Sequence, residues 1–219
     1  MTRTSFDKEL NALHGELVKM GALVEDTIAK SVKALEPGGR YLAEEAIAAD
    51  RQVDDLERSI EARCLRLLLR QQPVAKDLRA ISTAIKMITD MERIGDQAAD
   101  IADLALREES GSIRELAHHI PEMARIAVVM VSEAVGSFVS VDLENARRII
   151  AMDDKIDHLF EVVKTELIGI LKEQSARADE VINAMMIAKY LERIGDHAVN
   201  ICEWVEFYET GIHKQTRIL

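Results

Sequence analysis

The sequence predicts an all-α fold: two tandem, pseudo-symmetric three-helix bundles, six helices in all. Three observations carry this reading. Hydrophobic residues make up 48% of the 219 residues while aromatic residues make up only 4%, with 3 Pro and 10 Gly. That balance suits helices packed through Ala, Leu, Ile, Val and Met rather than strands. Apolar residues recur at helical spacing almost throughout. And MERIGD (91–96) returns as LERIGD (191–196), 100 positions later.

The breakers divide the chain in order. EPGGR (36–40) ends a helix over about 5–35, and RQQPVAKD (70–77) ends one over 41–71. REESGS (107–112) closes a third over 76–108. Helices over 113–140, 142–174 and 178–209 follow, separated near SVD (140–142) and EQSARAD (173–179). AADRQVDDLE (48–57) resembles AMDDKIDHLF (151–160) at an offset of 103, so the connection before the last helix is shorter in the second half. The units run over 1–110 and 111–219, joined near Gly111. Each is an up-down-up bundle with short connections.

In the third helix, positions 84, 88, 91, 95, 98, 102 and 105 alternate steps of four and three and carry Ala, Ile, Met, Gly, Ala, Ala and Ala. The copy carries Ala184, Ala188, Leu191, Gly195, Ala198, Cys202 and Val205. This is a packed seam of coiled-coil type. A mid-helix Gly costs about 1 kcal/mol relative to Ala. Gly95 and Gly195 therefore point to a helix approaching too closely for a Cβ. The rival, a helix broken at Gly with Asp96 as N-cap, would not keep the seam in register.

Glu92, Asp96 and Asp100 lie at i, i+4 and i+8, with Asp103 beyond. The copy has Glu192, Asp196, Asn200 and Glu203. Such residues share one helical face, where like charges destabilise by roughly 0.2–0.5 kcal/mol per pair. A divalent cation bound by carboxylate oxygens would remove that repulsion. The plain alternative is a solvated acidic face. Arg93 and Arg193 point about 100° away from the stripe, Lys189 alone stands within a turn of Glu192, and the constellation is repeated with its glycine, so metal binding is favoured. Asp50, Asp54, Glu57 and Glu61, and Asp153, Asp157 and Glu161, could add ligands. Ordinary surface pairs with Arg51, Arg58, Lys155 and Lys164 are the stronger reading there, so these acids rank second as ligands.

Other classes recede. A net charge of −11 and the lack of a Lys/Arg run argue against nucleic-acid binding. Cys64 and Cys202 sit inside apolar helical patterns and read as small core residues. The start, MTRTSFDKELNAL, lacks the apolar segment of a signal peptide. The longest wholly apolar run, IAVVMV (126–131), is far short of the ~20 residues of a membrane span. A cytoplasmic protein is the reading. Glu115 and His118 form a single Glu-x-x-His, whereas a ferritin-like di-iron site needs two. His197 stands where the first copy has Gln97, so it is not a ligand common to both repeats. No phosphate loop, nucleophile elbow or Cys-x-x-Cys is present.

The doubled ERIGD, together with FDKELNALHGELVKMGALVE (6–25), RQQPVAKDLRAI (70–81) and ICEWVEFYETG (201–211), resembles the PhoU family of bacterial phosphate regulators across essentially the whole chain. The resemblance implies a non-enzymatic negative regulator of phosphate-starvation signalling and phosphate uptake. Its implied partners are the ATPase subunit of the phosphate-specific ABC transporter and the sensor histidine kinase, with the membrane reached only through them, and the implied assembly is a homodimer. The family's metal motif, Glu/Asp-x-x-x-Asp, carries over to Glu92 with Asp96 and to Glu192 with Asp196, for Mn, Mg, Zn or Fe. Asn200 in place of an Asp100 equivalent removes a charge from the second site. The rival is a metal-dependent enzyme using the acidic stripes as a multinuclear site; the bland option is a scaffold whose acidic faces bind nothing.

Overall fold

The computed structural model describes residues 3–71, 75–107, 112–214 and 216–217. Helices α1 (Arg3–Lys33), α2 (Arg40–Gln71) and α3 (Ala75–Arg107) pack together as one unit. The second unit holds α4 (Ser112–Leu116), α5 (Ile120–Ser140), α6 (Leu143–Ile150), α7 (Asp153–Glu173) and α8 (Ala178–Thr210). The fold is two three-helix bundles, in which α5, α6 and α7 pack against α8 as α1 and α2 pack against α3. The joint expected near Gly111, and the centre of the 70–77 connection, lie outside the described residues.

Two of the six expected helices are interrupted. Pro121 falls at the start of α5; inside a helix it would lack its N–H and clash with the carbonyl four residues back. The 113–140 helix therefore divides into α4 and α5. The 142–174 helix divides at Ala151–Met152, where the Ala151 N–H still reaches Arg147 O at 3.1 Å. This break makes Asp153 and Asp154 the first turn of α7, where the helix dipole favours negative charge. A two-stranded hairpin, Ile212–His213 with Thr216–Arg217, follows α8 and was not expected from the sequence.

The turn between α1 and α2 requires glycine twice. Gly38 has φ 82°, and a Cβ on Gly39 would stand 2.5 Å from Ala34 O.

All fourteen seam residues of α3 and α8 are buried. A second buried row runs beside them: Thr83, Met87, Asp90, Ile94, Gln97 and Ile101 on α3, and Ile187, Ile194, His197 and Ile201 on α8. The first row faces its own bundle, since a Cβ on Gly95 would stand 3.2 Å from Val53 of α2. The second row joins the bundles. Thr83 donates to Trp204 O at 3.3 Å, and His197 Nδ1 lies 2.9 Å from Asp90 Oδ1. These pairs fix α3 and α8 antiparallel. The helix α5 is long and apolar enough by composition to cross a membrane, yet more than half of that stretch is buried inside the protein, packed against α1 and α8.

Candidate metal centres

The first acidic cleft forms where α2 lies close along α3. Helix α3 is continuous through Gly95, as the seam requires, so Glu92, Asp96 and Asp100 share a face. From α2, Asp50, Asp54 and Glu57 come within electrostatic range of them. Partial burial pushes the carboxyls of Asp50, Glu57, Glu92 and Asp96 above their usual range, and their neighbours' charges push further. For Asp50 those neighbours are Asp96, Asp54 and Asp100. Asp50 Oδ1 is buried without a hydrogen-bond partner. Not every member is free: Asp54 accepts from Arg58 at 3.0 Å. Asp100 is hydrogen-bonded to Tyr190 of α8, whose hydroxyl is raised by burial and then by this carboxylate.

The second cleft lies between α7 and α8. Asp153 and Asp157 face Glu192 and Asp196. Burial first, then Asp157, Asp196, Glu192 and Asp154, push Asp153 up to about 6. Burial, followed by Glu192, raises Asp157. Gly195 explains how Asp153 gets in. A Cβ there would stand 3.2 Å from Asp153 Oδ1 and 3.0 Å from Ile156. Asp153 Oδ1 is buried without a hydrogen-bond partner, as Asp50 Oδ1 is. One cation intrudes: Lys189 donates to Glu192 Oε1 at 2.6 Å.

All nine sequence-predicted ligands thus fall into two clefts. Asp50, Asp54, Glu92, Asp96 and Asp100 share one, and Asp153, Asp157, Glu192 and Asp196 share the other. Asp103 and Glu203 make ordinary pairs with Arg107 and Lys214, and Glu161 pairs with Lys164. Among the described residues, no three His, Cys, Asp or Glu side chains already stand close enough together to hold a metal ion. The donor chemistry still fits a hard cation: carboxylate oxygens crowded together, short of positive charge, with an orphaned buried oxygen at the same place in each repeat. Side-chain rotation within each cleft would have to complete a coordination shell.

Sequence reasoning missed the polar contacts between α3 and α8. Among them, Asp90 is bonded to His197 and to Asn200 Nδ2 at 3.3 Å, and Tyr190 is bonded to Asp100. The repeat itself held the signal. Asp90 and Tyr190 are 100 apart, as are Gln97 and His197, and Asp100 and Asn200.

Comparison with known proteins decides the family. A model described as the PhoU domain matches twice, over residues 17–105 and 120–205. The chain belongs to the PhoU family. A phosphate-specific transport system accessory protein PhoU homolog from Clostridium acetobutylicum is 35% identical over 212 residues, which is 96% of this chain and 97% of that one. The crystal structure of PhoU from Pseudomonas aeruginosa superposes with a TM-score of 0.87 at 32% identity, covering 94% of this chain and 100% of that one. A structure of the phosphate transport system regulatory protein PhoU from Streptococcus pneumoniae gives 0.88 at 29% identity, covering 94% and 98%. PhoU proteins are accessory and regulatory proteins by name, and this chain is not an enzyme.

Proposed function

We propose that this chain is an adaptor that represses phosphate-starvation signalling and restrains phosphate uptake. It acts in the cytoplasm between the ATPase subunit of the phosphate-specific ABC transporter and the sensor histidine kinase, and works as a homodimer in which each chain carries the two repeats 1–110 and 111–219. The observation that carries the reading is the likeness to phosphate-transport accessory and regulatory proteins along nearly the whole chain, both repeats included. Affinity capture from phosphate-replete cells, paired with a phosphate-starvation reporter in a deletion strain, tests it. Recovery of the ATPase or the kinase and a derepressed reporter are expected. Recovery of neither, with a silent reporter, overturns it.

The two clefts are proposed to bind divalent or iron-type cations. Asp50, Asp54, Glu92, Asp96 and Asp100 would hold one group of ions, and Asp153, Asp157, Glu192 and Asp196 the other. The support is the pair of orphaned oxygens on Asp50 and Asp153 in carboxylate-rich clefts. Elemental analysis and calorimetric titration with Mn, Zn and Fe test it on wild type, Glu92→Gln/Asp96→Asn and Glu192→Gln/Asp196→Asn. Each double variant should lose about one cleft's share of binding with its helical content intact. Unchanged binding in both leaves the stripes as solvated faces. Lost binding with intact control of phosphate uptake places regulation in the protein–protein surfaces alone.

A further inference from the structure

Away from both clefts, an apolar furrow of about 360 Å³ runs between the C-terminal end of α1 and the N-terminal half of α5, with α4 as a third wall. Val32, Leu35, Ile113, Ile120, Ala124 and Val128 line it. Its volume falls within the range of small-molecule sites, roughly 300–1,000 Å³. The lining extends from Ile120 to Val129 along α5, about 13 Å at 1.5 Å per residue. The furrow is therefore elongated and apolar, with room for a short acyl chain on one side of Arg125.

Its charge is as telling as its shape. Lys33 and Arg125 are the cations on the lining. Both are exposed, and neither makes an ion pair with a described residue. In a chain of net charge −11, where Arg58, Arg63, Arg147, Arg148 and Lys189 hold carboxylates, these two lining cations are left available to an anionic ligand. The helices α1 and α5 are antiparallel: His14 touches Phe138, Gly21 faces Val135, and Glu25 bonds Ser132. Continued, that register brings Lys33 level with Arg125, so the two can grip one head group. Glu36, the carboxylate on the lining, is engaged in an interaction of its own.

We infer that this furrow binds a single-chain amphiphile with an anionic head, of the fatty-acid class, its chain along α5 and its carboxylate between Lys33 and Arg125. Apolar burial supplies the affinity and the cation pair the preference for an acid. The site is separate from the carboxylate clefts, so its failure would leave the metal and adaptor readings untouched.

Calorimetric titration of the full chain with decanoate, decanol and an acidic amphipathic helical peptide tests the inference. Decanoate should bind one per chain and more tightly than decanol. Lys33→Gln/Arg125→Gln should weaken decanoate by about tenfold or more and leave decanol within about twofold. Ala124→Trp should abolish both; if it fails to fold, Ala29→Trp, on the exposed edge of the furrow, serves instead. Absence of decanoate binding, binding that survives the blocking substitution, or equal loss of acid and alcohol in the double variant would each overturn it. So would saturable binding of the peptide alone, which would make the furrow a protein-docking surface.

Discussion

Asp50 and Asp153 occupy the same place in the two repeats, yet their clefts are built differently. Around Asp50 stand Asp54, Glu57, Glu92, Asp96 and Asp100. In the second repeat Glu57 becomes Phe160 and Asp100 becomes Asn200, while Thr89 becomes Lys189. Lys189 lies 5.2 Å from the Phe160 ring centre and pairs with Glu192. The second cleft thus has fewer carboxylates, with Lys189 where the first has Arg58, yet it holds the more strongly perturbed acid, Asp153 at about 6. Desolvation leads the causes in both clefts, so how deeply the carboxylate is seated matters more than how many neighbours it has. The break at Ala151–Met152 and the bare surface of Gly195 together let Asp153 sit deeper than Asp50 does on an unbroken α2.

The largest expected effect falls on the two glycines. Gly195→Leu would drive a side chain into Ile156 and the Asp153 carboxylate, and Gly95→Leu would push on Val53. Over-packing should cost about 1–3 kcal/mol at Gly95 and about 3 kcal/mol or more at Gly195. Thermal and urea denaturation of both variants measures the gap. Equal losses would mean that the tighter approach at Gly195 has no energetic weight.

Metal sharpens the same contrast. With its fuller carboxylate set, the Asp50 cleft should bind the tighter, so Glu92→Gln/Asp96→Asn should lose more affinity than Glu192→Gln/Asp196→Asn. A ligand at a hundredfold excess over its Kd stabilises the folded chain by about 2.7 kcal/mol, which melting curves with and without Mn²⁺ would register. The gain should shrink at pH 5, because protons compete for the same oxygens. A tighter second site would instead assign dominance to the buried Asp153.

These contrasts were only partly legible in the sequence. The bundle fold, the seam and all nine carboxylates could be read because each is periodic: a helix repeats its face every 3.6 residues and the chain repeats its helices. The break before Asp153 could not be read that way, since Ala151 and Met152 are ordinary helix formers and tertiary packing decides there. Pro121, by contrast, was a visible stop that the apolar pattern around it masked. The row joining α3 to α8 escaped because its polar members, Asp90, Gln97 and His197, look like surface residues until a second bundle covers them.

Asp153 also gives the comparison a pH dependence. Between an ordinary carboxyl value near 3.8 and about 6, the folded chain holds a proton that the unfolded chain has released. Metal-free stability should therefore fall as pH rises through that window. Asp153→Asn should flatten the fall and raise stability at pH 7.5, by on the order of 1 kcal/mol once solvent screening is allowed for. Asp50→Asn, the less deeply seated acid, should do less. Melts in chelator at pH 5 and pH 7.5 decide it, and a wild-type slope surviving in Asp153→Asn would mean that other carboxyls carry the effect.

The smallest effect lies where the first two helices of each repeat connect. The first repeat turns through Gly38, at φ 82°. The second turns through Val141, at φ 56° and ψ 44°, with the Asp142 N–H reaching Ser137 O at 2.9 Å to close the end of α5. A β-branched residue in the left-handed region carries strain of about 1–2 kcal/mol. Val141 offsets part of it by packing against the core. Glycine would remove the strain but also the packing, and would cost about 0.4–1 kcal/mol through a freer unfolded chain. Asparagine tolerates this conformation with less added freedom. Val141→Asn should therefore stabilise by about 0.5 kcal/mol, while Val141→Gly should change little. Urea midpoints at constant m-value are the measure. A lower midpoint for Val141→Asn would show that the core contact of Val141 outweighs its strain, and that the second repeat keeps valine for packing where the first keeps glycine for its turn.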